Sequence, residues 1–139
     1  MDQPPKPDIA TRDALRALRC EPLAAGSAVS PETIALQLGT LPGWRLADGA
    51  LERTFAFPDY PATIAFVNAV AAMAEQEDHH PEMHVGYGSC IVRWNTHSAG
   101  GISRNDFICA VRTDDLHDRF AASQGGGSAS GANETETKC

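Results

Sequence analysis

Apolar and polar residues alternate in two stretches of this chain, and each stretch has a turn signal near its middle. Trp44 to Leu46 and Ala50 to Phe57 flank Asp48-Gly49, while Met83, Val85 and Tyr87 are followed by Gly88-Ser89 and then by Cys90, Val92, Trp94 and Thr96. Alternation puts every second side chain on one face of a strand, and Asp-Gly between two such runs is a strong hairpin signal. Leu51, Phe55 and Phe57 accordingly share a face. Between the hairpins the period changes. Asp59 is suited to cap a helix, and Ile64, Val67 and Ala71 with Phe66, Val70, Met73 and Ala74 form a wide apolar stripe that predicts a helix to about Glu77, stopped by Pro81. Two hairpins with one apolar face each need a covering layer, and this helix is the first part of it.

The remaining segments supply more helices. Thr11 to Cys20 reads as a short helix, and Ser30-Pro31-Glu32 opens a second that ends at Gly39, before the turn at Pro42-Gly43. After Gly100-Gly101, Ser103 and Asp106 match the S-x-x-D form of a capping box and start a last helix to about Phe120, with Cys109, Ala110, Leu116 and Phe120 facing inward. The expected architecture is a four-stranded, largely antiparallel sheet with helices packed on one face. The open face then needs polar residues, a ligand or a second subunit.

A chain of 139 residues, 42% hydrophobic, fits one compact domain. Residues 30–120 carry it. Residues 1–29 form an N-terminal extension with a short helix, and residues 121–139, rich in Gly and Ser and without aromatic or branched aliphatic residues, read as a disordered tail. No internal repeat is present.

The formal net charge of -7 argues against direct nucleic-acid contact or an anionic lipid surface, and no basic patch overrides it. No apolar run approaches the roughly 20 residues of a membrane span. The start has three prolines and no apolar signal core, and Asp2, Asp8 and Asp13 weigh against an organellar transit peptide at Ile9 to Arg19. Cysteines 20, 90, 109 and 139 include no CxxC pair, which favours reduced thiols and a cytoplasmic location.

Chemistry concentrates after the central helix. Of five histidines, His79, His80 and His84 fall within six residues, Glu75 lies one turn before His79, and His97 ends a strand. Imidazole both gives and takes protons near neutrality. Pro81 forces His80 out of helical geometry, so the pair sits at a helix exit where both rings can converge on one cavity. A metal site is disfavoured: Pro81 makes the segment between His80 and His84 extended, which separates them by about 13 Å. Cys90 and Cys109 occupy strand and helix interiors, where a thiol behaves as a small hydrophobe. Neither a G-x-S-x-G nor a phosphate-binding glycine loop is present. His84 and His117 read as surface or core residues, and Trp44 can be core. His79 and His80 have no such structural explanation.

These residues together resemble the signature of the pterin-4a-carbinolamine dehydratases. The resemblance rests on Glu75-x-x-x-His79-His80-Pro81-Glu82, Tyr87 six residues after the proline, Thr96-His97, Gly100-Gly101 and Asp106, and it extends upstream through Leu41-Pro42-Gly43-Trp44 and Arg53 to Phe57. It covers roughly residues 30–120. Trp94, Cys109 and Thr113 depart from the pattern, at positions that concern packing more than chemistry.

The resemblance implies an α+β fold, a hydro-lyase that dehydrates 4a-hydroxytetrahydrobiopterin to quinonoid dihydrobiopterin in tetrahydrobiopterin recycling, and catalysis without metal or bound cofactor. It implies His79, His80 and His97 as catalytic, with Glu75, Pro81, Asp106 and Trp44 in support. On this reading His79 and His97 flank the leaving hydroxyl, one as acid, His80 handles the ring proton or positions the substrate, and Glu75 orients a histidine. The same family includes protein-interaction modules, among them transcriptional coactivators and assembly factors, so a protein partner is the alternative. About 90 residues make a small core, which favours a homodimer or homotetramer.

Overall fold

The computed structural model describes residues 9–127, with side chains described up to residue 122. Four helices, four strands and one 3₁₀ turn follow one another as α1 (Arg12–Arg16), α2 (Pro31–Leu38), β1 (Arg45–Ala47), β2 (Ala50–Ala56), α3 (Tyr60–Glu77), β3 (Glu82–Val85), β4 (Ser89–Trp94), the turn His97–Ala99 and α4 (Arg104–Gly127). The strands form one sheet in the order β1-β2-β4-β3, and every pairing is antiparallel. The α+β fold expected from the sequence is the fold observed.

Local chemistry accounts for most element ends. Ser30 and Asp59 cap α2 and α3, accepting from the amides of Thr33 and Ala62. Asp48 and Gly49 both have positive φ, 49° and 78°, as a two-residue turn of the I′ type requires. Two helices differ from expectation. α1 ends at Arg16 rather than Cys20, because the amides of Cys20 and Glu21 leave helical register to donate to the side chains of Glu77 and Asn105. α4 runs past Phe120 to Gly127, so the stretch read as a tail begins inside a helix. Ala121 and Ala122 are strong helix formers and extend it at little cost. Residues 128–139 lie outside the described residues.

The two sheet faces have opposite chemistry. On the helix side Leu51 and Phe55 of β2 and Cys90, Val92 and Trp94 of β4 are buried against Phe66, Val70 and Met73 of α3 and Phe107, Ile108 and Val111 of α4. Arg53 also faces this side, and its guanidinium meets the buried carboxylate of Asp114 at 2.6 Å. Along the open face one row of charges crosses all four strands: Arg45, Glu52, Arg93 and Glu82 occupy successive register positions and alternate in sign. Arg45 meets Glu52 at 2.7 Å, Arg93 pairs with Glu52, and Arg93 meets Glu82 at 3.1 Å. Opposite charges facing each other across strands stabilise the pairing, and the row supplies the polar cover that the open face needs.

The N-terminal extension is fastened to α3 and α4 by ion pairs. Arg12 and Arg16 reach Asp114 and Asp115 of α4 at 3.1 and 2.7 Å, and Arg19 reaches Glu77 at the end of α3 at 2.9 Å. Asp114 and Glu77 are each 3% exposed, so the arginines neutralise carboxylates that burial would otherwise destabilise.

Candidate active site

The site begins at the C-terminal end of α3. Asp78 adopts the left-handed conformation (φ 53°, ψ 41°), and the amide of His79 donates back to the carbonyl of Ala74 at 3.1 Å. This is the geometry of a Schellman motif, so the helix stops three residues before Pro81 by its own capping. From His79 onward the chain runs toward β3, outside the helix. Successive side chains of extended chain point to opposite sides. His79 therefore turns to the helix side of the sheet and His80 away from it.

His79 stacks on Trp94, ring centroids 5.4 Å apart and planes 21° apart. Its Nε2 lies 2.6 Å from Oδ1 of Asp106, which is completely buried, while the His79 side chain is 12% exposed. The second Asp106 oxygen accepts from the Thr96 hydroxyl at 2.7 Å and from the Ser103 amide at 2.8 Å. Thr96 in turn accepts from the Ser103 hydroxyl at 2.7 Å. As a carboxylate that accepts from Thr96 and Ser103, Asp106 is an acceptor toward His79 as well, so it favours the tautomer that carries the hydrogen on Nε2. The capping role read for Asp106 is real, and the same carboxylate anchors a histidine.

His80 is placed differently. Its Nε2 is 2.9 Å from Oε1 of Glu75, and the two side chains are 58% and 81% exposed. Glu75 thus orients His80 and not His79. His80 shares a cavity of about 310 Å³ with Pro81, Glu82, Arg93, Asn95, Ala50 and His97. His97 starts the 3₁₀ turn that follows β4, held by the pairing of Thr96 with Gly101. His79 lines a neighbouring cavity of about 160 Å³ with Thr96, Ser98 and Cys20. The three histidines therefore do not converge on one cavity, because the chain's alternation at residues 79 and 80 divides them.

Trp44 does not join them. It is 6% exposed in the core, edge-on to Phe55, with its indole donating to Asp114 at 2.9 Å. His84 lies on the surface against Glu82, and His117 packs among Phe55, Phe57 and Phe66. Sequence reasoning missed Arg93 and Asn95 on the cavity wall. The parity of Arg93 along β4, with Asn95 directly after the strand, signals the open face once the register is known, but nothing in their own spacing does. Among the described residues, no cluster of three or more His, Cys, Asp or Glu could hold a metal ion.

The profile of the family described as Pterin 4 alpha carbinolamine dehydratase matches residues 27–116. This chain belongs to that family. A relative from Nitrosomonas eutropha is 58% identical over 74 residues, covering 53% of this chain and 66% of its own length. One from Xanthomonas oryzae pv. oryzae is 53% identical over 88 residues, covering 62% and 75%. Another, from Chromobacterium violaceum, is 45% identical over 102 residues, covering 73% and 94%. All three carry pterin-4-alpha-carbinolamine dehydratase as a provisional name. The crystal structure of a transcriptional coactivator/pterin dehydratase from Brucella melitensis superposes with a TM-score of 0.62 at 29% identity, covering 65% of this chain and 98% of that one. The site residues His79, His80, His97 and Asp106 all fall within the matched span. No helix of the described residues is long and apolar enough to cross a membrane.

Proposed function

We propose that this protein dehydrates 4a-hydroxytetrahydrobiopterin to quinonoid dihydrobiopterin, with His80 and His97 as the proton-transferring pair. The observation that carries the reading is the single cavity shared by these two imidazoles, within a chain of the carbinolamine dehydratase family. In the reaction the C4a–O bond breaks as an acid delivers a proton to the leaving hydroxyl, releasing water. The lone pair of the adjacent ring nitrogen forms the new double bond to C4a, and a base removes the proton from that nitrogen. Two imidazoles near neutrality suit both transfers, each contributing roughly 10²- to 10⁴-fold.

Glu75 accepts from His80 Nε2 and leaves Nδ1 for the ligand. Arg93 and Asn95 offer donors to the carbonyl and ring nitrogens of a pterin, and Pro81 and Ala50 give apolar wall for its plane. His79 acts through position: fixed by Asp106 and stacked on Trp94, it holds the backbone from which His80 projects. This assigns His79 a supporting part, where the sequence alone suggested a direct one.

The test adds purified protein to chemically generated 4a-hydroxytetrahydropterin and follows the absorbance of the quinonoid product. Acceleration over buffer is expected, and its absence overturns the proposal. A second reading, a protein-interaction module, is favoured by the coactivator name that the Brucella melitensis neighbour bears beside its dehydratase name. A chain that binds a protein partner and leaves the carbinolamine reaction at its buffer rate fits that reading instead.

A further inference from the structure

Two thiols distant in sequence meet beside the His79 cavity. Cys20 Sγ lies 3.4 Å from Cys109 Sγ, although 89 positions separate them. Cys20 belongs to the N-terminal extension and Cys109 to α4, one turn after Asp106. The backbone on either side of Cys20 is clamped. Its amide donates to Glu77 Oε1 at 2.9 Å, and Glu21 and Asn105 exchange two hydrogen bonds, from Glu21 N to Asn105 Oδ1 at 3.2 Å and from Asn105 Nδ2 to the Glu21 carbonyl at 2.8 Å. A disulfide needs about 2.05 Å between sulfurs, and side-chain rotation covers a gap of this size when the backbones are already apposed.

We propose that Cys20 and Cys109 form a reversible disulfide under peroxide or glutathione disulfide, fastening the N-terminal extension to α4 at the wall of the His79 cavity.

The two thiols differ in a way that sets the order of events. Cys20 is half-buried and lines the cavity, so an oxidant reaches it, whereas Cys109 is fully enclosed. Its hydrogen bond with Cys20, together with burial, holds the Cys109 thiol far above the ordinary range. With peroxide, the Cys20 thiolate attacks one oxygen: an S–O bond forms, the O–O bond breaks and water leaves after taking up a proton. The Cys109 sulfur then attacks Cys20: the S–S bond forms, the S–O bond breaks and hydroxide leaves with the Cys109 proton as a second water. Two thiols are oxidised by two electrons and one peroxide is reduced. With glutathione disulfide, the Cys20 sulfur displaces one glutathione thiol to give a mixed disulfide and the Cys109 sulfur displaces the second, the two protein protons leaving on the two glutathione thiols. Cys90 has no such partner among the described residues, and burial in β4 pushes its thiol up to about 11.

The experiment uses the full chain carrying Cys139→Ser, treated with hydrogen peroxide or glutathione disulfide and digested with trypsin without reductant. Cleavage at arginines puts Cys20 on peptide 20–45 and Cys109 on peptide 105–112. The expected result is these two peptides joined and two hydrogens lighter, a rise in Tm on the order of 10 °C from closing a long loop, and reversal of both by dithiothreitol. Cys20→Ala abolishes the link and the rise, and Cys109→Ala does the same if it folds. A link from Cys20 to any other cysteine, dimers joined between chains, or no link at oxidant concentrations that modify Cys20 overturns the proposal. A correct link with unchanged Tm overturns the fastening.

Discussion

His79 and His80 are adjacent in the chain and opposite in environment. His79 is walled in, stacked on Trp94 and tied to a buried Asp106 whose every oxygen is engaged. His80 is open, paired with an exposed Glu75, and shares its cavity with His97. A buried, fully satisfied network fixes geometry at high energetic stake, while an exposed pair contributes little to stability. Proximity in sequence thus does not give two residues one environment. The helix cap at Asp78 hands them to different sides of the sheet.

The largest effect expected from breaking this division is on turnover. His80→Ala and His97→Ala each lower kcat/KM by roughly 10²- to 10⁴-fold, with Tm unchanged within about 1 °C because both side chains are exposed. A substantial Tm loss in either variant erases the contrast with His79.

Asp106→Ala tests the other half. It removes the buried acceptor of His79, the Thr96 hydroxyl and the Ser103 amide, and a loss of about 3 to 5 kcal/mol in denaturant unfolding is expected. Should the variant unfold like the parent, the network on the His79 side is not structural.

Acid weakens the ion pairs that fasten the N-terminal segment to α3 and α4. Burial pushes the Glu77 carboxyl up, yet the Cys20 amide with Arg112 and Arg19 outweighs it and holds Glu77 below its usual range. The hydrogen bond from Arg16 does the same to Asp115, against partial burial. Both folded pKa values lie below the unfolded ones. Their contribution is complete above the ordinary carboxylate range near pH 4 and is lost as pH falls through the depressed values. Tm accordingly declines below about pH 4, and the decline is shallower in an Arg16→Ala, Arg19→Ala variant. Equal slopes for the two proteins refute the assignment.

The smallest effect concerns the cap itself. Asp78→Gly removes the strain of a non-glycine residue at φ 53° and is expected to raise stability by about 0.5 to 1 kcal/mol, read in denaturant unfolding, with turnover kept within twofold. A large fall in turnover would show that the Asp78 side chain takes part in chemistry.

Much of the scaffold was legible because its signals are local. The Asp48-Gly49 turn, the Asp59 cap, the stripe on α3 and the alternation in both hairpins each reside within a few residues, and each predicted element is present. The candidate histidines and Asp106 were legible through a pattern of motifs. What the sequence hid depends on contacts across the chain. Ser103 carried a capping signature but no sign that its hydroxyl meets Thr96, and Trp94 gave no hint of the ring it supports. Trp44, read as core or as a support residue, is in the core and donates to Asp114, 70 positions away, a contact its own position does not announce. Separating His79 from His80 required the left-handed Asp78, where an aspartate occupies a conformation usually left to glycine. The short α1 was equally hidden, since hydrogen bonds to distant side chains ended it.

The arginine pairs that fasten the extension and cross the open face have a kinetic consequence. Arg12, Arg16, Arg19, Arg45, Arg53, Arg93, Arg104 and Arg112 each sit on a carboxylate. The charge of these arginines is thereby neutralised within the molecule, and the chain as a whole carries a formal net charge of -7. An approaching molecule meets that field before it meets any side chain. An uncharged pterin arrives at a rate indifferent to ionic strength, whereas a phosphorylated one is slowed in dilute buffer and speeds up as salt screens the repulsion. The net negative charge thus acts at the encounter step, against ligands that carry negative charge.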